Sequence, residues 1–463
     1  MNILTFDYLC LVLISLLGIK LIKQANGKKI FLLVLSIFFY AYWDVRFVIS
    51  LLLYTLFIFK MAILSSRSTG KKSAIITGTG IIFSVLLLFY FKYMKFFLKE
   101  IFELPEAAIH IIVPIGISFI ILSAIGYLLD VYKGKYKANQ DIVEVMLFLC
   151  YFPKLLSGPI ERQNEFSKKI NEMIPISKVR LWQGMQIILF GLIKKMVIAD
   201  RVGVCVDAVF GCPELYSAPS ILWAMISYTI QIYCDFSGYT DIARGVSYLL
   251  GISLEKNFDL PYSALNPGEF WRRWHISLSS WFKDYVYIPL GGSRSGRFKT
   301  YKNIMLTMLL SGIWHGANWT YWLWGIIHGM AQCIWRLWGG LREKYLPNKN
   351  SGAAKVIARV FNLFFICITW TIFRADSINQ FLLICKRVIT LQQGIDYFYV
   401  WTGPYAVIIA GATVYGYKKN NGHGLYPEIG KMNFLGQVVF WVAVFLVIGF
   451  AYMGNMAFIY NNF

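Results

Sequence analysis

Charged residues are scarce in this chain. They make up 15% of its 463 residues, whereas 57% are hydrophobic, and a soluble protein carries about 25% charged residues. Apolar stretches long enough to span a bilayer recur along almost the whole sequence. The composition excludes an ordinary soluble protein. It predicts an all-α, multi-pass integral membrane protein of the cell membrane, folded as a single domain over residues 1–463.

Acidic residues are the rarer of the two charged classes. There are 24 of them against 45 Lys and Arg, which gives a net charge of +21. In a membrane protein, basic residues collect in cytoplasmic loops and meet anionic lipid. We therefore expect the lipid bilayer, and no nucleic acid, as a partner. The basic loops 23–29 and 67–72 are predicted to be cytoplasmic, which places the N-terminus outside.

Several signatures are missing. The eight cysteines form no CxxC pair and no metal-ligand spacing, and no glycine-rich nucleotide-binding fingerprint is present. We therefore expect no metal. The sequence also has no visible internal repeat, which disfavours a transporter built from inverted repeats.

Apolar segments predict the helices. About ten to twelve should cross the bilayer, and the shorter ones should be re-entrant or buried. Residues 151–162 contain two prolines and predict a broken or re-entrant helix, and the basic stretch 251–302 predicts a partly helical interfacial segment on the cytoplasmic face. The predicted segments are Ile3–Ile22, Ile30–Trp43, Phe47–Leu64, Ala74–Tyr93, Ile109–Leu129, Ile142–Leu156, Trp182–Ala199, Ile221–Tyr233, Ile304–Trp314, Tyr321–Trp338, Val356–Phe373, Tyr405–Tyr417 and Phe434–Met453.

His315 is the leading catalytic candidate. It lies in an apolar segment beside Trp314, and ionisable residues at membrane depth are costly and mark functional sites. Its imidazole could serve as a general base, and Gly316 is predicted to leave room for a substrate. The alternative is a buried histidine bonded to a neighbouring helix. The polar neighbours Ser311 and Asn318 favour the functional interpretation.

His275 follows a polar stretch that contains Pro267 and Gly268. It is either an interfacial histidine near the headgroups or a partner of His315 that orients the substrate or stabilises developing charge. His328, 13 residues beyond His315, is predicted to be a helix-packing residue.

Two further segments carry polar chemistry. The loop 291–297 is rich in glycine and arginine and suits phosphate oxygens, although a flexible basic loop is the simpler interpretation. Asp235 is placed at the end of a predicted span. It could pair with Arg272 or Arg273, either as part of a site or as a structural ion pair.

Together these segments resemble the membrane-bound O-acyltransferase family, in its bacterial branch that contains the alginate O-acetyltransferase membrane subunit. The resemblance rests on five motifs, supported by residues 152–160, in a core of roughly residues 150–330. The motifs are QIYCDFSGYTD at 231–241, NFDLPY at 257–262, NPGEFWRRWHISLSSWF at 266–282, DYVYIPLGGSR at 284–294 and SGIWHGANW at 311–319.

The resemblance implies many helices around a membrane-spanning tunnel. It also implies that His315 is catalytic with His275 close by, that acetyl-CoA is the acyl donor, and that the acceptor is an extracytoplasmic polysaccharide or an acyl-relay partner. That partner would be a secreted or membrane-anchored acetyltransferase-like or esterase-like protein. The candidate substrate-binding residues are Trp314, Asn318, Ser311, Arg272, Arg273, Trp281, Asp235 and Tyr233.

Three other functions remain open at this point. One is D-alanyl transfer to teichoic acid from a carrier-protein thioester, as in a close relative within the family. The second is a transporter or flippase of a lipid-linked glycan without chemistry, although few charged residues lie in mid-span. The third is a structural subunit that only docks a secreted acetyltransferase.

Overall fold

The chain is helical, as predicted. The computed structural model describes residues 3–100, 102–103, 111–156, 158–294, 296–345, 352–419, 435–438 and 441–442. In these ranges no β-strand forms, and a single bridge joins Tyr216 to Ile395. The helices are α1 Phe6–Leu21, α2 Ala25–Trp43, α3 Arg46–Ser66, α4 Gly70–Lys92, α5 Met94–Glu100, α6 Ile117–Tyr132, α7 Ile142–Cys150, α8 Phe152–Leu155, α9 Gln163–Asn171, α10 Lys178–Leu192, α11 Asp200–Gly211, α12 Ala218–Leu249, α13 Pro267–Arg273, α14 Ile276–Phe282, α15 Arg297–His315, α16 Trp319–Tyr345, α17 Gly352–Arg374, α18 Ile378–Ile389 and α19 Thr402–Lys419.

The chain divides into two compact units. The first comprises residues 1–189 and 239–255, and the second comprises residues 190–238 and 256–463. The single domain expected over residues 1–463 stays a prediction.

In the first unit, α3 and α4 pack through polar faces. The buried residues of α4 are Ser73, Thr77, Gly80 and Ser84. Oγ of Ser65 lies 2.7 Å from Oγ1 of Thr77 and 3.0 Å from Oγ of Ser73. Small and hydroxyl-bearing residues at such interfaces are typical of helices that associate in lipid, where apolar side chains gain nothing by turning inward.

The opposite faces of these helices are apolar and exposed. Ile75, Ile82 and Leu86 of α4 are 68%, 62% and 59% exposed. In the described residues, α3, α4 and α17 are long and apolar enough to cross a membrane, and α6 is a shorter apolar helix. The inverted arrangement, with polar residues inside and apolar residues outside, fits a multi-pass membrane protein. The number of ten to twelve spans and the orientation of the N-terminus stay predictions.

The segment 151–162 breaks its helix, as its prolines predicted. Helix α7 ends at Cys150, α8 lasts for four residues, and no regular helix resumes before Gln163. The buried Lys154 ammonium of α8 lies 4.5 Å from the ring centre of Phe148 and 4.9 Å from that of Phe166. Ser157 lies outside the described residues.

Several helix predictions need correction. Helix α12 has 32 residues, so the motif 231–241 lies inside it and not at the end of a span. Helix α11 and the amphipathic α18 were not predicted, because neither contains a long apolar run. Most of the predicted span Phe434–Met453 lies outside the described residues.

Candidate functional site

His315 is the last residue of α15 in the second unit. The helix stops there because Gly316 is extended, with φ 177° and ψ 171°. The imidazole is 3% exposed. Its ring centre lies 5.2 Å from that of Trp324 and 5.2 Å from that of Phe373, with both rings nearly perpendicular to it. His315 is therefore buried in an aromatic enclosure that excludes bulk water.

Glycines let α15 and α16 approach closely enough to form this enclosure. A Cβ atom on Gly325 would lie 2.5 Å from the carbonyl oxygen of Met308, and one on Gly312 would overlap the carbonyl oxygen of Tyr321. The room for a substrate expected at Gly316 stays a prediction. In the direction of an added Cβ, the ring of Tyr321 already fills the space, at 2.5 Å.

His275 is fully buried at the N-cap of α14. Its Nδ1 lies 3.1 Å from Oδ1 of Asn257. The backbone N–H of Ser277 donates to the same Oδ1 at 3.2 Å, which identifies that atom as an acceptor. Nδ1 of His275 must therefore donate, and Nε2 carries the lone pair of the neutral ring.

The environment of His275 keeps the ring neutral. Burial lowers its pKa to about 3, because an apolar surrounding disfavours the imidazolium form. An unprotonated Nε2 at neutral pH can accept a hydrogen bond, whereas a pKa so far below neutral makes the ring a weak proton acceptor.

The backbone at His275 is strained. Its φ of 43° lies in the left-handed region, which is uncommon for a residue other than glycine and clusters at functional sites. Asn257 fixes this geometry through two contacts. Its backbone carbonyl oxygen accepts from the N–H of Ile276 at 2.9 Å, and its side chain binds the ring of His275. Asn257 was not among the predicted site residues. Its place at the start of the NFDLPY motif was the available signal.

One tryptophan contacts both histidines. The ring centre of Trp314 lies 5.0 Å from that of His315 and 6.4 Å from that of His275. On the other side, the ring of Phe236 packs edge-on against His275 at 4.7 Å. The fold thus gathers both candidate catalytic residues and Trp314 into one buried cluster.

His328 takes the packing role predicted for it. Its Nδ1 accepts a hydrogen bond from Nε1 of Trp271 at 3.3 Å, and its Nε2 lies 3.1 Å from Oγ1 of Thr369. Both ring nitrogens are used within the helix bundle.

A cavity of about 490 Å³ opens in the second unit. Ser311, one helical turn before His315, contributes to its wall, and Arg272, Lys283 and Arg336 stand at its exposed side. None of the described residues that line it is acidic. The lining residues are Gly268, Trp271, Arg272, Ile276, Leu278, Ser279, Ser280, Phe282, Lys283, Tyr287, Ile304, Thr307, Met308, Ser311, Gln332 and Arg336.

The expected pairing of Asp235 with Arg272 or Arg273 is wrong. Asp235 lies 2.6 Å from the ammonium of Lys195, whose second partner is Asp200 at 2.7 Å. Arg273 instead binds Glu269 at 3.0 Å, a partner on its own helix. Arg273 pairs with Glu269 because the two residues are one turn apart on α13. Asp235 pairs with Lys195, which lies on another helix.

Lys195 was missed by the sequence analysis. Its side chain is 1% exposed and lies in a π-helical turn, Ile193–Ala199, that continues α10. A Cβ on Gly238 would stand 3.1 Å from the backbone nitrogen of Lys195, so this glycine lets α12 approach the turn. The available signal was a lysine inside the apolar segment Trp182–Ala199, since such residues need partners in a membrane protein.

The remaining candidates have packing or capping contacts. Tyr233 packs on Phe258, Tyr262 and Trp274, with its ring centre 5.3 Å from that of Tyr262. The buried Trp281 packs on the rings of Phe282 and Tyr285. Asn318 accepts from the N–H of Thr320 at 3.1 Å and donates to the carbonyl of Asp376 at 2.8 Å, so it caps α16.

The glycine-rich loop is a tight turn. Gly291 and Gly292 have positive φ angles of 105° and 55°. The side chain of Asn303 donates to the carbonyl oxygens of Leu290 and Gly292 at 3.1 and 3.0 Å, which fixes the loop to α15. Ser295 lies outside the described residues. In the described part of the chain, no group of three or more His, Cys, Asp or Glu could hold a metal ion.

Comparison with known proteins agrees with this architecture. Residues 35–374 match the model of MBOAT, the membrane-bound O-acyltransferase family. The chain belongs to the membrane-bound O-acyltransferase family. It is therefore a membrane-embedded enzyme that transfers acyl groups to hydroxyls.

The chain is similar in sequence to several individual members of this O-acyltransferase family. The chain is 35% identical over 383 residues to the probable alginate O-acetylase AlgI of Pseudomonas putida, covering 80% of this chain and 77% of the relative. It is 34% identical over 410 residues to the peptidoglycan O-acetyltransferase of Helicobacter pylori, covering 80% and 76%. It is 27% identical over 397 residues to the teichoic acid D-alanyltransferase of Bacillus subtilis, covering 79% and 97%.

Proposed function

We propose that this O-acyltransferase moves an acetyl group from cytoplasmic acetyl-CoA to hydroxyls of an extracytoplasmic polysaccharide, either directly or through a secreted or membrane-anchored acetyltransferase-like partner. The observation that carries the proposal is the buried cluster of His315, Trp314 and His275. Trp314 and His315 lie on the same helix as Ser311, which lines a cavity with a cationic rim. His275, at the start of α14, contacts Trp314. Relatives named as alginate and peptidoglycan O-acetylating enzymes support the acetyl group and the glycan acceptor.

The charge of the cavity supports a coenzyme A donor. Arg272, Lys283 and Arg336 are exposed at its rim, and the wall beyond them includes the apolar Ile304 and Met308. Guanidinium and ammonium groups suit phosphate oxygens. The phosphates of coenzyme A would stay at the rim, and the thioester would extend along α15 towards Ser311 and His315.

His315 acts as the general base in the proposed reaction. The acceptor hydroxyl gives its proton to the imidazole while its oxygen attacks the thioester carbonyl carbon. Collapse of the tetrahedral intermediate breaks the C–S bond, and the proton passes from His315 to the departing thiolate. The products are an ester and coenzyme A, and holding both substrates at one buried base supplies the proximity effect.

His275 is assigned a role by its tautomer. Nδ1 donates to Asn257, so the neutral ring offers an acceptor at Nε2 and no donor. This supports His275 as a group that orients the acceptor hydroxyl through a hydrogen bond. It argues against His275 as a neutral donor to the oxyanion.

The test is acetyl transfer from radiolabelled acetyl-CoA by the protein in nanodiscs, with and without a glycan acceptor. His315→Ala should lower turnover by at least about a hundredfold, since general base catalysis contributes about 10²–10⁴. His328→Gln is the matched control. It replaces another buried histidine and keeps a donor towards Thr369 and an acceptor for Trp271, so its turnover should fall far less than that of His315→Ala, even where the lost ring packing lowers its melting temperature.

The outcomes separate the alternatives. Full transfer by His315→Ala would refute the assignment of the base. If the wild type transfers no acetyl group from acetyl-CoA but transfers D-alanine from a carrier-protein thioester, its donor is of the kind used for teichoic acid. Movement of a lipid-linked glycan without any thioester cleavage would instead indicate a flippase.

A further inference from the structure

A second cavity lies far along the sequence from the histidine cluster, in the first unit. It has a volume of about 440 Å³ and is bordered by α2, α3, α4 and α6. This volume is within the range of about 300–1,000 Å³ typical of small-molecule sites. The wall is hydrocarbon and aromatic, with Leu51, Phe83, Phe91 and Ile121 among the lining residues.

One hydroxyl group of the cavity wall is already hydrogen-bonded within the protein. The hydroxyl of Tyr54, which lines the cavity, donates to Oγ of Ser84 at 2.9 Å. Tyr40 and Ser50 add two hydroxyls to a wall that is otherwise hydrocarbon and aromatic, so the cavity offers water few of the polar partners that hold a buried water molecule. The cavity therefore suits an apolar occupant.

The cavity opens on a surface that faces hydrocarbon. Leu53 and Phe83 line it and are nevertheless 62% and 41% exposed. They belong to α3 and α4, two of the helices apolar enough to cross the membrane. A molecule entering at this mouth comes from the bilayer, so its apolar part is a lipid acyl chain.

One end of the cavity lies beside three lysines and two glutamates, Lys92, Lys95, Lys99, Glu100 and Glu103. Phe91 and Ile117 line that end, and the ammonium of Lys92 lies 3.5 Å from Oγ of Ser118. Lys95 and Lys99 follow in α5, where both are exposed, and the acidic Glu100 ends that helix. An ammonium group at the end of a membrane helix can bind a lipid phosphate through a charge-assisted hydrogen bond.

We propose that this cavity binds one acyl chain of an anionic phospholipid, with its phosphate held at Lys92 and Lys95. The chain lies between α3, α4 and α6, and the headgroup stays at the end of α4. The lipid fills a space that the protein's own side chains leave open, so it is a structural component of the first unit.

Photolabelling in nanodiscs tests the proposal. The probes are phosphatidylglycerol and phosphatidylcholine, each with a diazirine in one acyl chain, and the adducts are located by mass spectrometry of peptides. We expect phosphatidylglycerol adducts on peptides containing residues 47–57 and 114–121 at several times the level found around Ile75, which is 68% exposed and does not line the cavity.

Two variants probe the chain and the headgroup separately. Ser50→Trp places an indole at the exposed rim and should reduce adducts on both peptides at least fivefold. Lys92→Gln should lower phosphatidylglycerol labelling to the phosphatidylcholine level. The matched control is Ile75→Trp, the same bulky side chain on the open face of α4, which should leave the adducts unchanged.

The proposal would be overturned by equal labelling of the cavity peptides and the Ile75 peptide, or by full labelling in Ser50→Trp. Equal labelling by the two lipids in the wild type would refute the phosphate contact. Melting temperatures establish that each variant is folded. If Ser50→Trp unfolds, Leu53→Trp at the same rim replaces it.

Discussion

The helix pairs α3–α4 and α15–α16 differ in what they bury. Between α3 and α4, hydroxyl groups bond to one another, as Ser65 does with Thr77. Between α15 and α16, glycines bring the backbones together, and the helix ends in an imidazole surrounded by aromatic rings. Small residues are structural at both interfaces. The proposed chemistry depends on the imidazole of His315, which lies at the end of α15 beside one of these interfaces.

The largest effect on stability is expected from the buried charges of the second unit. Lys195→Met leaves Asp235 and Asp200 buried without their cation and should destabilise the protein by about 3–5 kcal/mol. Thermal unfolding in detergent measures this. The neighbouring Lys194→Met is the control and should cost far less, because Lys194 is only half-buried. If Lys195→Met is as stable as Lys194→Met, the cluster has no structural role.

Removal of the group that orients His275 should slow the reaction without unfolding the protein. Asn257→Leu removes the acceptor at Nδ1 and should reduce kcat by about tenfold to a hundredfold, the cost known for losing a group that orients a metal-binding histidine. Asn257→Asp keeps an acceptor and should restore part of the activity.

The pH profile separates positioning from packing in this experiment. Burial lowers the pKa of His275 to about 3, so wild-type activity should not fall through protonation of this ring between pH 5 and 8. Asn257→Leu leaves the ring in an apolar surrounding and should keep the wild-type shape of the profile at a lower kcat. Asn257→Asp places a carboxylate beside the ring, which raises its pKa and should shift the acid side of the profile. An unchanged profile in Asn257→Asp with a lower melting temperature would assign Asn257 to packing alone.

The cationic rim should affect substrate binding and not the chemical step. Arg272→Gln or Lys283→Gln should each raise KM for acetyl-CoA by about 1.5- to fivefold with kcat retained, since exposed ionic contacts contribute about 0.2–1 kcal/mol. The effect should shrink at high salt. Lys299→Gln, which is exposed and does not line the cavity, is the control. An equal rise in KM for that variant would contradict a specific site.

The smallest effect is expected in the α3–α4 interface. Tyr54→Phe removes the bond to Ser84 and should destabilise the protein by about 0.6 kcal/mol, the average for hydrogen bonds between membrane helices. Acetyl transfer should be unchanged. The exposed Tyr90 of α4 provides the control Tyr90→Phe, which should have no effect. A loss of turnover in Tyr54→Phe would contradict the view that the α3–α4 interface is structural and that only the α15–α16 pair takes part in the reaction.

The sequence alone determined the class of protein, the family and the two histidines worth testing. Long apolar runs form helices in a bilayer, because a helix bonds all its own backbone groups. A histidine within such a run stands out, because burying an ionisable group at membrane depth costs free energy. The break at residues 151–162 was also predictable, since proline cannot continue a helix.

Only the tertiary structure decided which groups meet. Asn257 binds the ring of His275, 18 residues away, and Asp235 pairs with Lys195 and not with Arg272 or Arg273. Trp314, the sequence neighbour of His315, also contacts His275 at the start of α14, because the fold brings these two segments together. Helix formation depends on the local pattern of apolar residues, which a sequence displays. The partner of a buried polar group depends on which helices pack together, and that is settled only when the whole chain has folded.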